Sequence, residues 1–318
     1  RYNVYGTGFR SGDSLKLESC EDKNVVFNTQ VKVSSDHLSM TVPSDFKEGL
    51  YRMMLVRGRV EYPLGSVSLR IANGYVTMGT RVIAHRGLHN TGAPENSLDA
   101  IKKAQQLEGL YASEIDVWVT TDGEIVVNHD DSYPTDPQKH VIQNSTFSDL
   151  SEVRLSNGET VPRLRDVLEQ IKQSDMKLVI EIKSHSDSEK NFRCVDESMK
   201  LVTEYGLDDK VDWIAFNYDN CKRIAAARPK AMVQYLNGDK APSVCAADNI
   251  KGIDYKMAKL QDAWISEAHA LGMAVNVWTV DSDADMLKFI GKEVDFITTN
   301  SPQNCIGLLS KKFIELPE

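Results

Sequence analysis

The sequence predicts an α/β fold: a (β/α)8 TIM barrel preceded by a small all-β sandwich. Three observations carry this reading. The chain has 318 residues, room for a barrel of about 250 residues beside one small module. Apolar residues up to about Met78 fall in short β-like runs, whereas from about Thr80 short apolar runs alternate with longer helical stretches. Charge changes at the same place: residues 1–78 carry 10 Lys and Arg against 8 Asp and Glu, and the remainder carries 27 against 38. The expected division is therefore a sandwich over 1–78 and a barrel over 79–318.

In the first part the strand candidates are Ser14 to Leu17, Asn24 to Val33, Leu38 to Val42, Gly49 to Val56 and Val67 to Ile71. Ser11-Gly12-Asp13, Ser34-Ser35-Asp36 and Pro43-Ser44-Asp45 punctuate them as turns. In the second part the barrel candidates are Arg81 to Ala84, Glu114 to Val119, Ile125 to Asn128, Leu178 to Ile182, Trp213 to Phe216, Met232 to Leu236, Ala274 to Trp278 and Asp295 to Thr298. Gly252 to Tyr255 stands as a possible ninth. Helices are expected over Ser97 to Leu107, Leu164 to Gln173, Asn191 to Tyr205 and Ala263 to Leu271.

Composition narrows the chemistry. A net charge of -9 argues against a nucleic-acid partner, whose grip depends on basic patches that displace counterions. No apolar run reaches the ~18 residues of a membrane span. The five cysteines, Cys20, Cys194, Cys221, Cys245 and Cys305, contain no C-x-x-C pair, which argues against a zinc cluster and for buried thiols.

Polar residues gather where the barrel strands end, the face on which barrel active sites form. The first strand ends in His85-Arg86-Gly87 and the third in His129-Asp130. Glu114 and Asp116 stand two apart on one strand, as do Glu181 and Lys183 on another, so each pair shares a face. Three acids brought together are costly unless a cation neutralises them, and their oxygens suit Mg²⁺ or Ca²⁺. Arg86 offers a planar fork for phosphate and Lys183 a compact charge. Histidines titrate near neutral pH and so suit proton transfer.

These residues resemble a known family. His85-Arg86-Gly87, Pro94-Glu95-Asn96-Ser97, Glu114-Ile115-Asp116-Val117, Thr121-Asp122-Gly123, Val126-Val127-Asn128-His129-Asp130, Glu181-Ile182-Lys183 and Val277-Trp278-Thr279-Val280 are similar, in order, to the glycerophosphodiester phosphodiesterases. The resemblance runs from about Arg81 to Pro302. It implies hydrolysis of a small-molecule glycerophosphodiester to glycerol phosphate and an alcohol. It also implies His85 and His129 as the acid/base pair, and Glu114, Asp116 and Glu181 as ligands of a divalent cation. Arg86 and Lys183 would hold phosphate oxygens, Trp278 would line the glycerol side, and Glu95 and Asn96 would brace the site. The loop Asp131-Ser132-Tyr133-Pro134 departs from the family pattern; it is expected beside the site, with Tyr133 helping to select the alcohol.

Val4-Tyr5-Gly6-Thr7-Gly8-Phe9 and Gly49-Leu50-Tyr51-Arg52 resemble immunoglobulin-like modules of the IPT/TIG kind, which implies a cap on the barrel or a glycan or protein contact. Such a module beside such a barrel, in a chain that begins at Arg1, leads to the expectation of a periplasmic or cell-surface protein. Two other readings compete: a phosphodiesterase for lysophospholipid or inositol-linked diesters, and a non-catalytic envelope binding protein.

Overall fold

The computed structural model describes residues 2–19, 24–34, 37–40, 47, 49–72, 75–310 and 313–315. Cys20, the Ser35-Asp36 and Pro43-Ser44-Asp45 turn residues and the end of the Leu38 to Val42 strand lie outside them. The chain forms two compact units, one from Arg1–Thr80 with Gly307–Glu318, the other from Arg81–Ile306.

The first unit contains β1 (Tyr2–Thr7), β2 (Ser14–Ser19), β3 (Val26–Gln30), β4 (Lys32–Val33), β5 (His37–Met40), β6 (Gly49–Arg57), β7 (Val60–Ala72) and β8 (Tyr75–Met78). They form two sheets, β3-β2-β6-β7-β8 and β4-β5-β1, the second extended by a strand from the end of the chain. Alternation decides what is inside: Leu15 and Leu17 on β2 are buried and their neighbours are not. They meet Val4, Leu38, Met40, Tyr51, Met53 and Leu55 in one apolar core. At the β1–β2 turn, Arg57 donates both Nε (2.9 Å) and Nη2 (2.8 Å) to the buried Asp13 carboxylate. That fork holds the Asp13 pKa below the ordinary carboxylate range.

The second unit is a closed parallel barrel. Its chain order is β9 (Arg81–Ala84), α1 (Leu98–Gln105), β10 (Ala112–Val119), β11 (Ile125–Val127), α2 (Phe147–Leu150), α3 (Leu164–Ile171), β12 (Lys177–Ile182), α4 (Ser188–Glu204), β13 (Val211–Ala215), α5 (Tyr218–Ala227), β14 (Val233–Tyr235), α6 (Pro242–Ala247), β15 (Gly252–Lys256), α7 (Asp262–Ala270), β16 (Ala274–Trp278), α8 (Asp283–Gly291), β17 (Phe296–Thr299) and α9 (Pro302–Ser310). From Gly307 the chain belongs to the first unit again, and there β18 (Phe313–Glu315) pairs in parallel with β1. Around the barrel the order is β9-β10-β12-β13-β14-β15-β16-β17, and β17 pairs back onto β9. Helices start where a short polar side chain takes a free backbone N–H, as Ser97 does for α1, Asp187 for α4, Asn217 for α5 and Ser282 for α8.

The expected stave Ile125 to Asn128 is not one. It becomes β11, which pairs antiparallel with the upper part of β10, Val127 opposite Val117 and Ile125 opposite Val119. The true eighth stave is β15, the segment left as a possible ninth, and it is parallel to both β14 and β16. Tyr133 also differs from expectation. It is buried in a cluster with Trp118, Val126 and Ile142, and its hydroxyl donates to the Val127 carbonyl at 3.0 Å. A phenol that is buried and hydrogen-bonded in this way packs the loop and is withdrawn from any substrate.

Register fixes which residues face the barrel axis. Ile83, Ala112, Val179, Ile214, Leu236, Ala274 and Phe296 pack together as one apolar layer. The pairs Asp116↔Glu181, Glu181↔Ile214, Ile214↔Gln234 and Asp254↔Asn276 place those side chains on the same inner face. Gly252 is required there: a Cβ would lie 2.7 Å from Gln234 Cγ and 3.1 Å from the Ala274 carbonyl oxygen. Among the described residues no helix is long and apolar enough to cross a membrane, and Cys194, Cys221, Cys245 and Cys305 are buried free thiols.

Candidate active site

The site begins where β9 ends. Arg86 and Gly87 both take positive φ, 55° and 81°, a conformation that costs a non-glycine residue energy and turns the chain sharply. Gly87 has no substitute, because a Cβ would sit 2.7 Å from Ala100 Cβ on α1. The turn aims the Arg86 N–H at Glu114 Oε2, 2.9 Å away on the adjacent strand β10. Asn96 is also left-handed, φ 60°, and grips Asp116 twice: its Nδ2 donates to Asp116 Oδ2 at 2.9 Å and its Oδ1 accepts from the Asp116 N–H at 3.1 Å.

Two strands then deliver the acids. β10 turns Glu114 and Asp116 inward, β12 turns Glu181 inward, and ligand oxygens of the three buried carboxylates lie within 4.8 Å of one another. Lys183 Nζ lies 3.1 Å from Asp116 Oδ1 and 2.8 Å from Glu181 Oε1. Arg86 Nε lies 3.5 Å from Asp116 Oδ2, while its Nη1 donates to Glu95 at 2.9 Å. Burial, then the charges of Asp116 and Glu181, pushes the Glu114 pKa well up. Glu181 is raised by burial and by Asp116. Burial also works against ionised Asp116, but Lys183, the Asn96 amide, His129 and Arg86 outweigh it and hold that carboxyl below its ordinary value. Lys183 is likewise opposed by burial and raised by Asp116 and Glu181, so it stays charged.

This balance tests whether a divalent cation belongs here. Two of three packed carboxylates hold their protons too tightly for the ordinary carboxylate range, and all three offer only oxygen. A hard divalent cation relieves that repulsion and suits that donor set. The residues fit such an ion.

His85 and His129 reach the site by different routes. His85 follows β9 directly. Its Nδ1 is 2.8 Å from Asn300 Oδ1, and His89 Nε2 is 3.0 Å from the same oxygen. Asn300 in turn donates Nδ2 to Asp281 Oδ2 at 2.8 Å. A carboxylate only accepts, so Asn300 must present its carbonyl to the histidines, and His85 carries its proton on Nδ1 with Nε2 left as acceptor. Burial and then the Arg86 charge lower the His85 pKa, with the Asn300 bond opposing. His129 is brought by the hairpin. β10 and β11 turn at Thr120–Glu124, and the Asn128 N–H donates to the Asp116 carbonyl, so the antiparallel strand carries His129 back to the acids. Its Nδ1 lies 2.7 Å from Asp130 Oδ1.

The opposite wall is apolar. Trp278 ends β16 with its Nε1 donating to the Asp254 carbonyl at 3.0 Å, and its ring meets Phe216 edge to face at 5.7 Å. His85, Arg86, Glu114, His129, Glu181 and Trp278 line one solvent-open cavity of about 430 Å³, together with Phe216, Leu236 and Asp254. Asp116 and Lys183 join it through their ion pairs. The candidate histidines, acids, cations and Trp278 thus lie in or against this cavity, whereas Tyr133 does not. Sequence reasoning missed Asp254, Phe216 and Asn300. It also missed His89, which shares the Asn300 oxygen. The signal for Asn300 was its place one residue past β17.

Comparison with known proteins identifies the family. The chain matches the Glycerophosphoryl diester phosphodiesterase family over residues 85–304. A glycerophosphodiester phosphodiesterase of Caldanaerobacter subterraneus subsp. tengcongensis is 29% identical, over 74% of this chain and 99% of its own length. The crystal structure of a glycerophosphodiester phosphodiesterase from Parabacteroides distasonis is 37% identical, with a TM-score of 0.69 over 73% of this chain and 97% of that one. A phosphodiesterase of Oleispira antarctica, solved with the product sn-glycerol-3-phosphate, shares the fold at 23% identity and a TM-score of 0.66, over 73% of this chain and 98% of that one. A match over most of the chain, covering both histidines, all three acids and Trp278, shows that this protein belongs to the glycerophosphoryl diester phosphodiesterase family.

Proposed function

We propose that the chain hydrolyses a glycerophosphodiester to glycerol phosphate and an alcohol at this cavity, with His85 and His129 moving the protons. The observation that carries the reading is the convergence of two imidazoles, two cations and three carboxylates on one cavity with an apolar far wall. Arg86 and Lys183 bind the phosphate's non-bridging oxygens. His85 is neutral and has Nε2 free, so it accepts the proton of the attacking oxygen, whether that of water or of a neighbouring glycerol hydroxyl. His129 returns a proton to the departing alcohol. Glu114, Asp116 and Glu181 hold Mg²⁺ or Ca²⁺, which when bound polarises the phosphoryl group and offsets the charge that develops on it. Trp278 and Phe216 cover the carbon skeleton of the glycerol.

The test is glycerol phosphate release from soluble glycerophosphodiesters after chelation, with Mg²⁺ or Ca²⁺ restored, beside His85→Ala. The expected result is turnover that returns with cation and falls by about 10³-fold in the variant. Cation-independent turnover, or an active His85→Ala, would overturn the assignment.

The first unit reads as an immunoglobulin-like module on the support of its two sheets and shared core. A glycan or protein contact and a periplasmic or cell-surface place are the roles that reading favours. Fractionation of cells producing the protein tests the location.

A further inference from the structure

Three polar side chains on consecutive staves face the barrel axis with hydrogen bonds unmade. Gln234 on β14, Asp254 on β15 and Asn276 on β16 are 0%, 1% and 0% exposed. Asp254 Oδ1, Asn276 Nδ2 and both side-chain atoms of Gln234 have no hydrogen-bond partner. Buried polar groups in folded proteins are ordinarily paired, so a cluster that is not calls for an explanation. Glycine at 252 makes room for Gln234, and the Asp254 backbone anchors the Trp278 indole. The segment is therefore built closely around these groups.

Of the three, Asp254 is the one that lines the catalytic cavity, among Ile214, Phe216, Leu236 and Trp278. Across from that group stand Arg86 and the Lys183–Asp116–Glu181 cluster, which fix the phosphate's position in the reading above. Whatever extends from the phosphate toward β13–β16 meets apolar walls and a single carboxyl on the floor. Apolar walls fit the C–H faces of a short carbon chain, and a buried carboxyl whose Oδ1 has no partner fits a hydroxyl at its end. Asp254 is not among the carboxylates whose oxygens cluster for a cation, so a second metal ligand is the weaker reading.

We propose that Asp254 is a specificity-determining residue that accepts a hydrogen bond from the terminal hydroxyl of the substrate's glycerol. The inference rests on the phosphodiesterase reading and deepens it. It names what distinguishes glycerol from a plain alkyl ester: a hydroxyl that pairs an otherwise unpaired buried oxygen. A site of this kind rejects an analogue lacking the hydroxyl, because the analogue leaves that oxygen unpaired while burying it further.

The test compares two diesters with the same leaving alcohol. One carries glycerol; the other carries 1,2-propanediol, which keeps the hydroxyl beside the ester oxygen and lacks the terminal one. The wild-type protein, loaded with Mg²⁺ or Ca²⁺, is expected to prefer the glycerol diester by about 10²-fold in kcat/KM. In Asp254→Ala that ratio collapses toward one; in Asp254→Asn, which keeps a carbonyl acceptor, it falls only in part. Competitive inhibition by glycerol phosphate and by propanediol phosphate gives a second readout, and thermal melts of both variants report folding. Should Asp254→Ala fail to fold, the Asn variant and the wild-type inhibition ratio decide. A wild type that does not discriminate, or variants that slow both substrates equally, would make Asp254 a barrel brace and overturn the proposal. Failure of the wild type on every glycerophosphodiester would instead sink the phosphodiesterase reading itself.

Discussion

The two sides of the barrel mouth are built from adjacent staves yet hold opposite kinds of residue. On β9, β10 and β12 the inner positions are His85, Glu114, Asp116, Glu181 and Lys183; on β13, β14 and β16 they include Ile214, Phe216, Leu236 and Trp278. Glu181 and Ile214 are direct register partners, so the boundary between the two sides is one strand wide. The charged side accepts electrostatic cost, visible in the raised pKa values of Glu114 and Glu181. On the neutral side the cost is hydrogen bonds left unmade by Gln234, Asp254 and Asn276. Each deficit matches one end of a diester: the first a phosphate and its cation, the second a carbon skeleton with hydroxyls. In the proposed reaction one side would govern whether the chemistry proceeds and the other what is admitted.

That division is easiest to break on the charged side. Glu181→Gln removes one of three carboxylates and is expected to lower kcat/KM by about 10²-fold at low cation. Activity should recover in part as Mg²⁺ or Ca²⁺ is raised, and a cation titration of the variant checks this. A loss indifferent to cation would mean that Glu181 acts some other way.

A smaller effect is expected one layer behind. Asn300→Ala removes the acceptor that fixes His85 and raises its pKa. With the bond gone the imidazole pKa drops further, so the neutral base persists to lower pH. The acid limb of the kcat/KM profile should therefore move to lower pH, while the plateau falls about 10-fold as the ring loses its orientation. A profile that falls without moving would assign Asn300 a packing role alone.

On the neutral side, Phe216→Leu should raise KM a few fold and leave kcat nearly unchanged, since it trims contact made equally in ground and transition states. Steady-state kinetics on one glycerophosphodiester suffices, and a kcat loss larger than the KM change would dissolve the distinction between the two sides.

The smallest effect is on stability. For Glu114 and Glu181 the folded pKa exceeds the unfolded one, which is near ~4.3. The folded state thus binds their protons more tightly; this stabilisation is full below the unfolded pKa and is lost as pH rises through the raised folded values. Cation-free protein should accordingly lose a few degrees of Tm across that window, about 2–4 °C per kcal/mol at this size. Adding Mg²⁺ or Ca²⁺ should restore it, and Glu114→Gln should flatten the dependence.

Most of the charged side was legible in the sequence, because its residues sit two apart on strands or in compact motifs at strand ends, patterns that period-2 geometry reads directly. The neutral side was less so. β15 was doubted because its two inner residues are Gly252 and Asp254, so half of the usual apolar signal is absent. Ile125 to Asn128 was miscounted because an apolar run gives no indication of strand direction, and only the turn at Thr120–Glu124 made it a hairpin. Tyr133 looked like a substrate contact by loop position, but burial of an aromatic ring against Trp118 and Val126 took precedence.

The pairing of β18 with β1, Tyr5 beside Phe313, bears on how the molecule assembles over time. β1 finds its parallel neighbour β18 only after the barrel that lies between them in the chain has been made. Contacts of such long sequence separation form late and slowly. The first unit is therefore expected to remain one strand short while the barrel is being made, with an edge of β1 open, and to be completed when β18 follows it.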